Sequence, residues 1–292
     1  MTSPTPNVHQ APQPNPRPVA LVTGAARRIG RAIALTLAQH GWDLVLHGRS
    51  AELSAADCLA TAAQAQALGA RTHVLFADLM DEAECNALVP TAVAALGRLD
   101  AVVNNASLFE YDSVQSFSHA LMDQHWRCNT APAVMLARAL HAHLLTRADA
   151  PAATGCVVNL LDQKLANPNP DYFSYTLSKA ALAEATVMLA MALAPRLRVC
   201  GVSPGVTLVS GPMSEAQFAA AHQLTPLHRS STPQDIAHAV RFLLESPAIT
   251  GHTLQVDGGQ HLLGQPRDVL FLAQQQMANA ALGKTPAPTK EH

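Results

Sequence analysis

The chain has 292 residues, 49% of them hydrophobic, and a formal net charge of −2, enough apolar material for one sizeable core. Charge balance without a basic run excludes a protein that binds nucleic acid by neutralising phosphates. Fourteen histidines occur without an H-E-x-x-H or clustered spacing, so no metal is expected. Cys58, Cys85, Cys128, Cys156 and Cys200 are odd in number and lack C-x-x-C spacing, which fits a reducing cytoplasm.

Met1 to Pro18, rich in Pro, Asn, Gln and Thr, has neither a basic start nor an apolar stretch and reads as a disordered tail rather than a signal peptide. Residues 19–264 are then expected to form one domain. It opens with the apolar strand Val19–Thr23, which runs into Thr23-Gly24-Ala25-Ala26-Arg27-Arg28-Ile29-Gly30 and a helix from Arg31 to His40. A strand, turn and helix in this order aim backbone N–H groups and a helix N-terminus at a phosphate. Gly24 suits the tight turn and Gly30 the close packing of helix on strand, but Arg28 stands where the dinucleotide fingerprint has its middle glycine.

The second strand, Leu44–His47, ends in His47-Gly48-Arg49-Ser50, where a site built for NAD would carry an acid for the ribose hydroxyls. Arg49, assisted by Ser50, suits instead the 2′-phosphate of NADP, because a guanidinium pairs with it through two parallel hydrogen bonds. Strands follow at Thr72–Ala77 and Ala101–Asn104, and Ser107 and Phe109 fall just beyond the latter, at the carboxyl edge where open α/β sheets bind ligands. Phe109 fits equally a ring that stacks on a ligand and a loop residue packed under a flap.

The apolar run Cys156–Leu161 reads as a buried strand and ends in Asp162; a long alanine-rich helix, Ser174 to Leu193, follows. Tyr175 and Lys179 lie one turn apart on one face of that helix. An ammonium beside a phenol lowers its pKa from about 10 towards a usable value. In isolation such a pair is as consistent with a solvated helix face. Lysine is rare here, however: only Lys164, Lys179, Lys284 and Lys290 occur, and one inside an apolar helix has few casual explanations.

The remaining strands are Leu197–Val202 and Thr253–Val256, with a helix from Pro233 to Glu245 between them. Val206 to Thr232, weakly periodic and carrying Pro212 and Pro226, reads as a mobile substrate lid. Residues 265–292 form an extension with a helical stretch from Asp268 to Leu282. Ala180 to Ala194 is apolar but short and interrupted by Glu184, so it reads as a buried or interface helix rather than a membrane span. Alternation of strands and helices implies an α/β fold, a single Rossmann-like doubly wound parallel sheet of about seven strands with helices on both faces.

Tyr175-x-x-x-Lys179, the phosphate turn, Asp78 after the third strand, Asn104-Asn105-Ala106-Ser107, Asn129, Ser203-Pro204-Gly205 and Val256-Asp257-Gly258-Gly259 occur in an order that resembles the short-chain dehydrogenase/reductase family over nearly all of Val19 to Leu263. Within it the chain is similar to the pteridine reductases, which share Thr-Gly-Ala-Ala-basic-Arg-x-Gly, a His-x-Arg-Ser-like segment, a phenylalanine after Asn-Ala-Ser and an aspartate thirteen residues before the tyrosine. The resemblance implies an NADPH site of Gly24, Arg28, Ile29, Gly30, His47, Arg49, Ser50, Asp78, Leu79, Asn105, Ala106, Ser107, Tyr175, Lys179, Pro204 and Gly205. It implies catalysis by Asp162, Tyr175, Lys179 and Asn129, and a pterin held by Arg28, Ser107, Phe109, Asp162 and Tyr175. Tyr111, Leu208, Met213 and Leu227 are further candidates for the pocket wall, and the long helices would form a homotetramer.

An aspartate in place of the usual serine also has a chemical reading. A hydroxyl suffices to polarise a carbonyl, whereas reduction of a ring C=N needs a proton for nitrogen and a partner for an amidine-like edge. The expected function is NADPH-dependent reduction of a dihydropterin or related pteridine. The alternatives are a reductase of another ketone or imine, and a non-catalytic NADPH-binding scaffold.

Overall fold

Strand residues alternate between two cores, and this alternation places helices on both sides of one sheet. The computed structural model describes residues 17–149, 152–209 and 213–282. Its strands are β1 (Val19–Val22), β2 (Asp43–Gly48), β3 (Thr72–Phe76), β4 (Ala101–Asn104), β5 (Gly155–Leu160), β6 (Leu197–Pro204) and β7 (Thr253–Val256). They pair in parallel in the order β3-β2-β1-β4-β5-β6-β7. Ala20, Val22, Val103 and Val158 pack in one core with α1 (Arg28–Gln39), α2 (Ala51–Ala67) and α8 (Pro233–Glu245). Val19, Leu21, Val102 and Val157 point the opposite way, towards α3 (Glu82–Leu96), α5 (Ala131–Thr146) and α6 (Phe173–Ala192), as a two-residue period requires.

The strand order reverses between β1 and β4, which opens a crevice at the carboxyl ends of these two strands. Every loop expected to bear function leaves the sheet at that edge. Observed boundaries lie within one to three residues of those read from the sequence, and α8, β4 and β7 coincide with them.

Two expectations are corrected. The proposed tail ends before residue 17: Arg17 donates to the carbonyls of Gly41 (3.1 Å) and Gly69 (2.7 Å), while residues 1–16 lie outside the described set. The weakly periodic lid contains α7 (Glu215–Gln223), started by a capping box in which Ser214 and Gln217 bond each other's backbone. The helical stretch expected in the extension is present as α9 (Val269–Ala281), which packs through Val269 and Ala273 against Ala221 of α7. Between α4 (His119–His125) and α5 the chain makes a five-residue π turn, Trp126–Thr130, of the kind that re-aims a side chain at a functional position.

Candidate active site

The turn after β1 is held from β4. Thr23 Oγ1 accepts from the backbone N–H groups of Asn105 (2.9 Å) and Ala106 (3.0 Å), and Asn105 Nδ2 donates to the carbonyls of Thr23 (2.8 Å) and Gly24 (3.1 Å). A Cβ on Gly30 would stand 2.1 Å from the Gly24 carbonyl oxygen, so only glycine lets α1 approach this closely. Arg28, in the place of the missing glycine, takes the left-handed conformation (φ 54°) that glycine tolerates without cost. Its guanidinium donates to the Val209 carbonyl at 2.8 Å, reaching from the phosphate turn to the segment after β6.

Beside this turn lies a cleft of about 430 Å³, lined by Gly24, Arg28, Ile29, Gly30, His47, Arg49, Asp78, Leu79, Asn105, Ala106 and Ser107. They come from four separate stretches, 24–30, 47–49, 78–79 and 105–107, which the switch point gathers on one edge. Ser50 is not among them; its hydroxyl caps α2 by accepting from Leu53 N–H. His47 lines the cleft but its ring is spent on structure: Nδ1 accepts from Gly24 N–H (3.3 Å) and Nε2 faces the Ala77 carbonyl (2.9 Å), while burial pushes its pKa down. Arg49 pairs with Asp78 at 3.0 Å and is 60% exposed, a surface contact weak enough to rearrange around an anion.

A second cavity, about 270 Å³, shares Arg28, Ile29, Asn105 and Ser107 with the first and reaches Asp162, Tyr175, Lys179, Pro204 and Gly205. Tyr175 Oη donates to Asp162 Oδ2 at 2.9 Å, and the other carboxylate oxygen accepts Lys164 N–H at 2.8 Å. Burial raises the Asp162 pKa, and burial together with Asp162 raises that of Tyr175 well above the usual phenol value. This corrects the expectation of a phenol acidified by lysine. Lys179 Nζ instead donates to the Leu160 carbonyl (2.7 Å), 5.8 Å from the Tyr175 ring centre, and burial lowers it to about 8. Burial favours the protonated acid, and burial with the bond to Asp162 holds the phenol proton, which suits donation.

Phe109 lies nearly parallel to Tyr172, with ring centres 4.2 Å apart, and meets Tyr175 in a T-shaped contact at 4.7 Å. Tyr172 holds φ 54° at the start of α6, where Asp112 accepts from both the N–H (2.9 Å) and the hydroxyl of Ser174. Asn129 meets none of Asp162, Tyr175 or Lys179. Its oxygen accepts Leu108 N–H (2.7 Å) and Ser107 Oγ (3.2 Å), and its amide donates to the Leu108 carbonyl and Ser178 Oγ (both 3.0 Å). It therefore ties the 107–109 loop to α6. Leu208 and Met213 line the cavity as expected. Tyr111 packs instead on Tyr172 and Phe271, and Leu227 is 69% exposed. Sequence reading missed Lys164, Tyr172 and Asp268 as lining groups; the scarcity of lysine was the available signal for the first. Among the described residues no cluster of His, Cys, Asp and Glu could hold a metal ion, and all five cysteines are free.

A parallel sheet with its switch-point cleft, a Tyr-x-x-x-Lys helix and a glycine phosphate turn define a nucleotide-dependent oxidoreductase. The profile of a family described as Enoyl-(Acyl carrier protein) reductase matches residues 24–261, and the chain belongs to the short-chain dehydrogenase/reductase family. Among solved structures it is similar to FolM Alternative dihydrofolate reductase 1 from Brucella suis in complex with NADP, at 38% identity and a TM-score of 0.79, over 86% of this chain and 98% of that one. Pteridine reductase 1 of Leishmania tarentolae is 31% identical over 84% of this chain and 96% of its own length. An uncharacterized oxidoreductase of Mycobacterium tuberculosis (strain CDC 1551 / Oshkosh) is 36% identical over 82% and 91%.

Proposed function

We propose that this oxidoreductase is an NADPH-dependent pteridine reductase that reduces a ring C=N of a dihydropterin, or of a pterin or dihydrofolate, to the tetrahydro form. One observation carries the reading: the Asp162–Tyr175 hydrogen bond of 2.9 Å faces a cavity walled by Phe109, where a flat heterocycle fits. A ketone reductase needs only hydroxyls at such a point. A carboxyl can both accept from a ring N–H and deliver a proton to ring nitrogen.

The cleft fits the dinucleotide. The Gly24–Gly30 turn leaves no Cβ between α1 and β1, and Arg28 and Arg49 are placed for the phosphates. When bound, NADPH supplies the hydride. Lys179, already aimed along the Leu160 carbonyl, orients the ribose hydroxyls. Phe109 holds the ring by its face, and Arg28 and Ser107 bond its polar edge. The Asp162–Tyr175 pair then gives one proton to nitrogen as carbon is reduced, and solvent restores it.

Leu177 (44% exposed), Val187 (41%), Met188 (63%) and Met191 (71%) form an apolar stripe on α6. Such a stripe is suited to a helix-to-helix contact in a homotetramer. Five free thiols suit a cytoplasmic setting, and no helix among the described residues is long and apolar enough to cross a membrane.

A spectrophotometric screen of NADPH oxidation against dihydrobiopterin, dihydromonapterin, dihydrofolate and simple ketones tests the proposal. Turnover of at least one pteridine at a kcat/KM well above that of any ketone is expected. The reverse order would identify a carbonyl reductase, and NADPH binding without turnover of any of them a scaffold.

A further inference from the structure

The outer wall of the substrate cavity is built by the C-terminal extension, and it brings a charge to the proposed acid. Asp268 lines the cavity, and its Oδ2 stands 3.5 Å from Nζ of Lys164, which is only 4% exposed. Lys164 is not an ordinary surface cation. Its ammonium donates to the Asp171 carbonyl and lies 5.4 Å from the centre of the Tyr172 ring, while its backbone N–H donates to Asp162 Oδ1 at 2.8 Å. One residue thus reaches the reacting carboxyl through its main chain and the pocket wall through its side chain.

The extension is fastened at the same place. Arg267 grips Asp171 with two hydrogen bonds of 2.8 and 2.9 Å, and Asp171 also accepts the Asp268 N–H at 2.7 Å. Asp268 Oδ1 in turn accepts Leu270 N–H at 3.1 Å and starts α9. A buried lysine paired with a half-buried aspartate costs desolvation energy, and a solvated pair would hold the chain as well, so their position beside Asp162 calls for a reason in the site.

We infer that Lys164 and Asp268 form a paired positioning element for Asp162: the lysine fixes the turn that carries the carboxyl, and the aspartate offsets the lysine's charge, which makes the segment 267–270 part of the catalytic site. The inference rests on the reading of Asp162 as proton donor. The groups facing Asp162 are Tyr175 and Lys179 from α6, Lys164 on its own turn, Asp268 from the extension, the Asp171–Arg267 pair behind it and Arg28 across the cavity. Of the two members of the pair, the Lys164 charge favours the ionised carboxylate and the Asp268 charge opposes it.

Opposite effects of the two partners distinguish this from a merely structural role. The titration midpoint of Asp162 can be followed in the NADP-bound protein by the infrared band of its protonated carboxyl, assigned by its loss in Asp162→Asn. Lys164→Met should raise the midpoint and Asp268→Asn should lower it, each by about one pH unit, and the double variant should return near wild type. Asparagine can still cap α9, and Asp268→Ser, which also caps, should match it. Thermal melting checks that each variant is folded. Shifts of the same sign, or no shift in folded variants, overturn this inference alone. A wild-type band unaffected by Asp162→Asn overturns the assignment of Asp162 as the acid, and this inference with it.

Discussion

Tyr175 and Asp162 are joined by one hydrogen bond of 2.9 Å across the cavity floor, the phenol buried and the carboxyl half-buried. The phenol cannot ionise without losing this bond, because it donates and the carboxyl oxygen accepts. Replacing Asp162 by Ser or Tyr175 by Phe should lower kcat/KM for the preferred substrate by about 10²-fold or more, with little change in NADPH affinity. The double variant should be scarcely worse than either single one, since the two act as a unit. Steady-state kinetics on the three proteins decide this.

The pH dependence follows from the same pair. Burial raises the Asp162 pKa, so the protonated acid persists above the ordinary carboxyl range and is lost as pH rises through the raised value. Turnover should therefore fall on the alkaline side with a limb that disappears in Asp162→Ser. A profile whose alkaline limb survives that substitution assigns the limb to another group.

Lys179 carries a stability cost with a defined pH window. Burial lowers its pKa to about 8, whereas an unfolded lysine titrates near about 10.4. Because the folded value is the lower one, the stability this group contributes is present above the unfolded pKa and is lost as pH falls through 8. Lys179→Met should thus abolish turnover yet raise stability at pH 7 by about 1–2 kcal/mol, a gain that shrinks between pH 8 and pH 10. Denaturant melts at pH 7 and pH 9.5 measure both values; a variant destabilised at pH 7 contradicts the expectation.

Arg49 reaches Asp78 at the mouth of the cleft, where the pair is exposed and contributes under about 1 kcal/mol to the fold. Arg49→Ala should leave the melting temperature nearly unchanged while reducing the preference for NADPH over NADH by about tenfold or more. Titration of each dinucleotide separates the two effects, and an undiminished preference would move the 2′-phosphate site to Arg28.

The apolar stripe on α6 predicts assembly. Met188→Glu together with Met191→Glu should shift the protein to smaller species in light scattering at micromolar concentration, since burying two carboxylates in such a contact is costly. An unaltered mass places the interface elsewhere.

Much of the site was legible because its signals are short in range. A glycine turn after a strand, a basic residue after the next, and Tyr-x-x-x-Lys on an apolar helix each depend on a few neighbouring residues. What the sequence left hidden has the opposite property. Asn129 carries its motif position, but its partners Leu108 and Ser178 are 21 and 49 residues away, and only their contacts reveal a tether. Tyr175 keeps a high pKa because Asp162 and burial outweigh a lysine that points to Leu160. The capping box Ser214-Glu215-Ala216-Gln217 was present to be read, yet the weak periodicity around it concealed the helix.

Periodicity of two and of 3.6 residues, with turn chemistry between, sufficed to determine the parallel sheet, the crevice edge and the identity of the residues placed there. These are consequences of local sterics and of which faces must be buried. The tertiary structure alone decided that the extension returns to the pocket, that Asp268 meets Lys164, and that Phe109 rests against Tyr172. Those contacts join segments far apart in the chain, and their geometry and the resulting charge balance are set by packing and desolvation, neither of which a string of residues displays.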